Sequence, residues 1–350
     1  MKNETENKRI VWVDNVKNIA FILVALGHLL QGLIKAGIMQ NSAEFTFFNT
    51  FIYTFHVPLF FICSGYLYQK TTVVNDFKSY GNNVLKKAIA LGIPYFVFSI
   101  ISFLLKVIFS GSVNSQAGGF IETLFTDPMP PFWFLYTLFI IFLIMPTAKS
   151  IKSAAVMFGI SAVFICAVVL SIDFIPQSAL YVQFVYKTAL YLVWFALGIL
   201  LAEVKLEKIF SPFWIISFII AGVAVYFSIN AGMQNNYLIK YAIGIPACFG
   251  VIGTIGWIFR KNVQSPLFGF LSKYSMSVFL MHTIFSAGLR AVLLKINITN
   301  TAVHIIAGII ASFVLPVIAQ IIMEKIHLDF IIYPLKYIKI GKKPLKKESK

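Results

Sequence analysis

Three histidines sit where histidines are rarely found. His28 lies within the apolar run RIVWVDNVKNIAFILVALGHLLQGLIK (Arg9 to Lys35), His56 within FIYTFHVPLFFICSGYLY, and His282 within YSMSVFLMHTIF. Counted at 1.5 Å per residue from the charged ends of their segments, all three come out near the middle of a hydrocarbon layer about 30 Å thick. An ionisable side chain at that depth marks a candidate functional site. A neutral imidazole there suits general-base chemistry, because it can take a proton from a hydroxyl. The bland alternative is a buried, hydrogen-bonded histidine that helps helices pack.

Lys17 precedes His28 by eleven residues, close to three helical turns and roughly 16 Å of rise. The two side chains therefore share a helix face, and Asp14, Gln31 and Lys35 fall near it. Asn49, Tyr53 and Cys63 accompany His56; Ser275, Ser286 and Arg290 accompany His282. Pro58 removes a backbone hydrogen bond beside His56, and Ser64-Gly65 permits close approach of another helix. No HxxxH or HExxH pair occurs, so a metal site would need ligands from separate helices, and no metal is expected. A serine triad has no GxSxG to stand on. The three cysteines (Cys63, Cys166, Cys248) form no CxxC pair and say little about redox compartment.

The elements that position these residues are apolar helices. The 350-residue chain is 59% hydrophobic and 12% charged, about half the charged fraction of soluble domains. The expected fold is all-α, a polytopic transmembrane bundle of about ten helices over 16–36, 47–69, 88–110, 132–148, 153–171, 181–201, 212–230, 238–258, 274–294 and 303–323. Segment 1–15 reads as a cytoplasmic N-terminal piece, 16–323 as the membrane domain and 324–350 as a basic, solvated tail drawn to anionic lipid. The first apolar span is too long for a signal-peptide core and reads as a retained anchor.

The net charge of +16 does not point to nucleic acid. On this reading 22 of the 29 basic residues fall in the termini and in loops on one side, which places both termini in the cytoplasm. The 111–131 loop is the longest on the other side, a lid, a binding segment or simply disordered. Lys35, Lys106, Lys187, Lys240, Arg290 and Lys295 lie at the outer ends of spans, where they snorkel or form a positive vestibule for an anionic acceptor.

These residues also carry a resemblance. Lys17 and His28 within WVDNVKNIAFILVALGH, FHVPLFFICSGYLY (Phe55 to Tyr68), IPY (Ile93 to Tyr95), WFL (Trp133 to Leu135) and SMSVFLMH (Ser275 to His282) together resemble the acyltransferase-3 family. Its members are bacterial integral-membrane O-acyltransferases that modify cell-surface carbohydrates. The resemblance implies a multi-pass protein of the bacterial plasma membrane, with acetyl-coenzyme A as cytoplasmic donor and a polysaccharide or lipid-linked sugar as acceptor. It makes His28 the catalytic base, with Lys17 or Asp14 orienting base or donor. His56, Ser64, His282, Trp133 and Arg290 would serve the cavity. Where the family often has Arg-x-x-Arg before its third helix, this chain has Lys86-Lys87, which is either a coenzyme A contact without the bidentate fork or an ordinary pair of cytoplasmic lysines. The rival class is a secondary transporter exporting a glycan or lipid intermediate through a histidine proton relay; a non-catalytic sensor is a third.

Overall fold

The computed structural model describes residues 9–112, 118–171, 174, 175, 178, 180–208 and 210–340. Ten α-helices run through them: α1 (Val11–Lys35), α2 (Ala43–Thr71), α3 (Phe77–Ile108), α4 (Trp133–Ile144), α5 (Ile151–Leu170), α6 (Lys187–Glu203), α7 (Trp214–Asn230), α8 (Tyr237–Ile258), α9 (Pro266–Lys295) and α10 (Thr301–Lys325). No strand occurs among the described residues. The protein is an all-α, multi-pass membrane protein, and eight of its helices are long and apolar enough to cross a membrane. The two shorter ones are α4 and α7, while α6 reaches spanning length together with the π-helical turn Tyr181–Tyr186 that leads into it. The 12 residues of α4 rise only about 18 Å; Pro146, two residues past the helix end, helps stop it short of the expected 148.

Several helices begin earlier than their apolar runs suggest, α3 most of all, at Phe77 rather than 88. α1 starts at Val11 rather than 16, so Asp14 and Asn15 join Lys17 and Asn18 in the helix. Asn15 and Gln264 exchange amide hydrogen bonds of 3.0 and 2.9 Å. Asn18 donates to the carbonyl of Phe268 at 2.9 Å and to Ser272 at 2.8 Å. These pairings satisfy polar groups that burial would otherwise penalise. α9 likewise starts at Pro266 rather than 274, where the Ser265 hydroxyl accepts from the Phe268 amide at 3.3 Å. The amide is that of N3, and proline fits the first turn.

Two apolar clusters hold the bundle. One joins α1, α2, α6 and α8 through residues such as Phe55, Phe61, Phe195 and Ile252. The other joins α3, α4 and α9 to a segment after α10, through Tyr95, Phe132, Leu280 and Ile332. The 111–131 stretch is partly a wall: Glu122–Thr126 forms a π-helical turn, Thr123 and Leu124 are buried, and Tyr95 donates to the Leu124 carbonyl at 2.7 Å. Residues 113–117 lie outside the described residues.

The solvated tail needs correction over its first part. Residues 329–336 fold back in two short helical turns, Asp329–Ile331 and Pro334–Lys336. Asp329 is wholly buried, where it receives the Lys336 ammonium at 2.8 Å and the Tyr337 hydroxyl. Ile332 is 2% exposed, and Tyr333 donates to the Lys273 carbonyl at 3.0 Å. Composition made this stretch look free, but one carboxylate gathers its polar groups while Ile332 docks. Residues 341–350 lie outside the described residues.

The Lys336 ammonium, followed by the Tyr337 hydroxyl, holds the Asp329 carboxyl below the usual carboxylate range. A lowered value stabilises the fold fully above the ordinary pKa near 4 and loses that contribution as pH falls through the lowered value. Asp329→Ala should therefore release the segment at neutral pH, at a cost of about 2 kcal/mol. Asp329→Asn, which mimics the protonated group, should do the same. Faster tryptic cleavage at Lys336 and Lys339 in the purified protein is the readout; wild-type cleavage rates in both variants would contradict it.

Candidate active site

Two of the histidines, His28 and His56, meet at a small cavity of about 210 Å³. α1 presents Val24, His28 and Gln31 to it, and α2 presents Tyr53, His56 and Val57. These spacings keep side chains on one helix face. Pro130, Pro131 and Trp133 close it from the α4 side. Gln31 donates to the Asn49 side chain at 2.7 Å, tying α1 to α2 one turn beyond His28. Tyr53 meets His56 edge-on with ring centroids 4.6 Å apart.

His282 does not line this chamber. It lies behind His28, 1% exposed, with ring centroids 5.5 Å apart. Its Nδ1 faces the carbonyls of Val278 at 2.8 Å and Phe279 at 2.9 Å. A carbonyl can only accept, so in neutral His282 the proton sits on Nδ1 and Nε2 carries the lone pair. That Nε2 is buried without a hydrogen-bond partner. His56 is set the same way, its Nδ1 against the Ile52 carbonyl. Two of the three imidazoles thus have their acceptor nitrogen fixed by their own helices. Among the described residues no three His, Cys, Asp or Glu side chains are disposed to hold a metal.

A second, larger chamber of about 650 Å³ opens beside the first. Its polar lining is Lys17 of α1, Ser64 of α2, Ser275 of α9, and Tyr333 and Lys336 of the folded-back segment. Lys17 lies 3.6 Å from Asp14, which also pairs with Arg9. Lys17 and His28 do share a face of α1, but they open into different chambers. Lys17 and Asp14 therefore cannot orient His28 by contact, and Ser64 belongs with Lys17 rather than with the histidines.

The remaining sequence candidates disperse. Trp133 lines the histidine chamber, with the Lys187 ammonium 5.8 Å from its ring. Arg290 lies against α1 at Gly32, where an added Cβ would come within 2.6 Å of its Nη1, and it lines neither chamber. Lys86 and Lys87 also lie outside both linings; the Lys87 ammonium sits over the Phe142 ring at 4.3 Å. The sequence reading missed Lys336 and Tyr333, which looked like part of a free tail. It also missed three phenylalanines, Phe60, Phe134 and Phe279, that line both chambers.

Comparison with known proteins gives the family of the chain. The sequence model of the family described as "Acyltransferase domain" matches residues 10–321. The chain is similar to the nodulation protein NolL of Mesorhizobium japonicum, at 30% identity over 138 residues, 39% of this chain and 35% of that protein. It is also similar to the nodulation protein NolL of Sinorhizobium fredii, at 44% identity over 73 residues, 20% of this chain and 19% of that protein. The matches thus span about a third and a fifth of those relatives' lengths. No solved structure matches the chain. With one acyltransferase domain covering the histidine chamber and nearly all of the helical bundle, the chain belongs to the acyltransferase-3 family.

Proposed function

We propose that this protein transfers an acetyl group from coenzyme A to a hydroxyl of a cell-surface or lipid-linked carbohydrate in the bacterial plasma membrane. One observation carries the reading: a buried histidine chamber shares a wall with a larger chamber whose polar lining is lysine, serine and tyrosine. The larger chamber suits the donor, because Lys17 and Lys336 complement phosphate and Ser64, Ser275 and Tyr333 can hydrogen-bond amide groups. On the charge-based orientation it opens toward the cytoplasm, where the donor is made, and the histidine chamber faces the acceptor.

When bound, acetyl-coenzyme A supplies an activated thioester carbonyl. His28 takes the proton of the carbohydrate hydroxyl as its oxygen bonds to that carbon. The carbon–sulfur bond breaks, and the His28 imidazolium returns the proton to the departing sulfur. The products are an ester and a thiol. His282 serves His28 as a positioning residue: its fixed Nε2 has no hydrogen-bond partner in the structure and lies beside the His28 ring. It is therefore the acceptor toward which one N–H of His28 turns in the reacting complex, leaving the other nitrogen to the chamber.

His282→Leu, similar in size but without an acceptor, should lower kcat about tenfold, the rate equivalent of one ordinary hydrogen bond. KM should stay put. His282→Gln, whose amide oxygen can accept, should recover part of the rate. Equal kcat in the leucine variant and wild type would remove the role.

The test of the function is O-acetyl content of purified surface polysaccharides, by proton NMR before and after mild base. A deletion strain is complemented with wild type or with a His28 variant, both confirmed in the membrane. Loss of one acetyl signal restored only by wild type supports the transferase. Unchanged acetylation with less polysaccharide outside the cell would support an exporter instead.

A further inference from the structure

The two chambers are stacked along the same helices. On α1, Lys17 and Phe21 face one, and Val24, His28 and Gln31 face the other; on α2, Ser64 faces the first and His56 the second. Between the two levels lie Phe60 of α2, Phe134 of α4 and Phe279 of α9, which border both. The Phe134 ring is the centre of the group. Its centroid is 5.5 Å from Phe60 and 5.8 Å from Phe279, the latter contact edge-on. Phe61 supports it from behind at 5.0 Å. Such edge and tilted contacts are favourable aromatic geometry, so the rings brace one another.

We propose that Phe60, Phe134 and Phe279 form a septum that sets the length of the transferred acyl group, admitting acetyl and excluding longer chains. The inference rests on the reading of the lysine chamber as the donor site and of His28 as the base. For reaction, the thioester carbonyl must come within about 3–3.5 Å of the hydroxyl at His28. The acyl group is therefore the part of the donor that passes the septum level. Beyond it lie about 210 Å³, which must also admit the acceptor hydroxyl.

Acetyl, with two carbons, asks the least displacement of these rings. Each further methylene has to displace side chains that are packed against one another, and apolar pockets resolve single methylenes by about 10–200-fold. The septum also separates the two openings. Breaching it would let water reach the thioester from the acceptor side, giving a carboxylic acid and free coenzyme A.

The experiment uses the full chain in lipid nanodiscs with acetyl-, butanoyl- and hexanoyl-coenzyme A as donors. The acceptor is the surface polysaccharide fraction of the deletion strain. Free thiol is titrated, and the ester on the polysaccharide is identified by mass spectrometry. Wild type should transfer acetyl at least tenfold faster than hexanoyl. Phe134→Ala and Phe279→Ala should each raise the hexanoyl-to-acetyl ratio at least tenfold, and should raise thiol release without polysaccharide. Phe134→Leu, a smaller change, should shift the same ratio in the same direction and serves if alanine does not fold.

His28-dependent acetyl transfer with the ratio unmoved in every variant would overturn the septum while leaving the transferase intact. Equal rates with all three donors in wild type would do the same. No transfer from any donor, or transfer indifferent to His28→Ala, would overturn the functional reading and the septum with it.

Discussion

Surface O-acetylation should fall about 10²–10⁴-fold when His28 becomes alanine, the usual contribution of a positioned general base. The protein should remain folded, and the structure gives the reason. His28 is only partly buried because its ring borders a cavity of about 210 Å³. Truncating it enlarges a space that already exists, whereas truncation in a filled core opens a new void at several kcal/mol. Thermal stability in detergent should therefore shift little while activity is lost.

His28→Gln sharpens the test. Glutamine keeps hydrogen-bonding atoms but has no basic nitrogen, so it should be as inactive as alanine if proton transfer is the role. Recovery by glutamine would make His28 a positioning group. His56 would then be the remaining candidate base, since it lines the same chamber with its Nδ1 held by the Ile52 carbonyl.

Much of the site was legible because it depends on local properties. Apolar run length and charged breaks give the ten helices, and a period of 3.6 puts Lys17 and His28 on one face of α1. What stayed hidden lies between helices. Asn15 and Asn18 carry no local sign of their partners, because Gln264, Phe268 and Ser272 stand some 250 positions away. Phe60, Phe134 and Phe279 each look like ordinary apolar residues, and only their convergence from three helices divides Lys17 from His28. His282 was expected in the cavity wall. Its rotation about α9 is set by how α9 meets α1, which no local spacing encodes. Lys336 looked solvated because it stands in a lysine-rich stretch, yet one buried aspartate brings it to the chamber.

Gly198→Val should deplete the folded protein from membranes. α2 and α6 cross at Gly65 and Gly198, and each glycine meets the other helix's backbone. A Cβ at Gly198 would stand 2.0 Å from the Ile62 carbonyl oxygen and 2.8 Å from the Tyr66 nitrogen. One at Gly65 would stand 2.0 Å from the Phe195 carbonyl oxygen. Backbone atoms cannot turn aside as a side-chain tip can, so the helices must separate. In a bilayer that contact rests on close packing more than on hydrophobic burial. Overpacking costs about 1–3 kcal/mol and sometimes more, against a total stability of order 5–15 kcal/mol. Valine should sit at the upper end, with alanine milder but in the same direction. Gly159 of α5 is the matched control, because a Cβ there meets nothing within 4 Å; Gly159→Ala should be neutral or gain up to about 1 kcal/mol of helix propensity. Size-exclusion profiles after graded heating in mild detergent would separate the three variants. The function is tied to the same contact, since α2 presents His56 to one chamber, Ser64 to the other and Phe60 to the septum between them. A Gly198→Val protein that melts like wild type would mean that α6 does not brace α2 in this way, and the wall common to both chambers would lose its support.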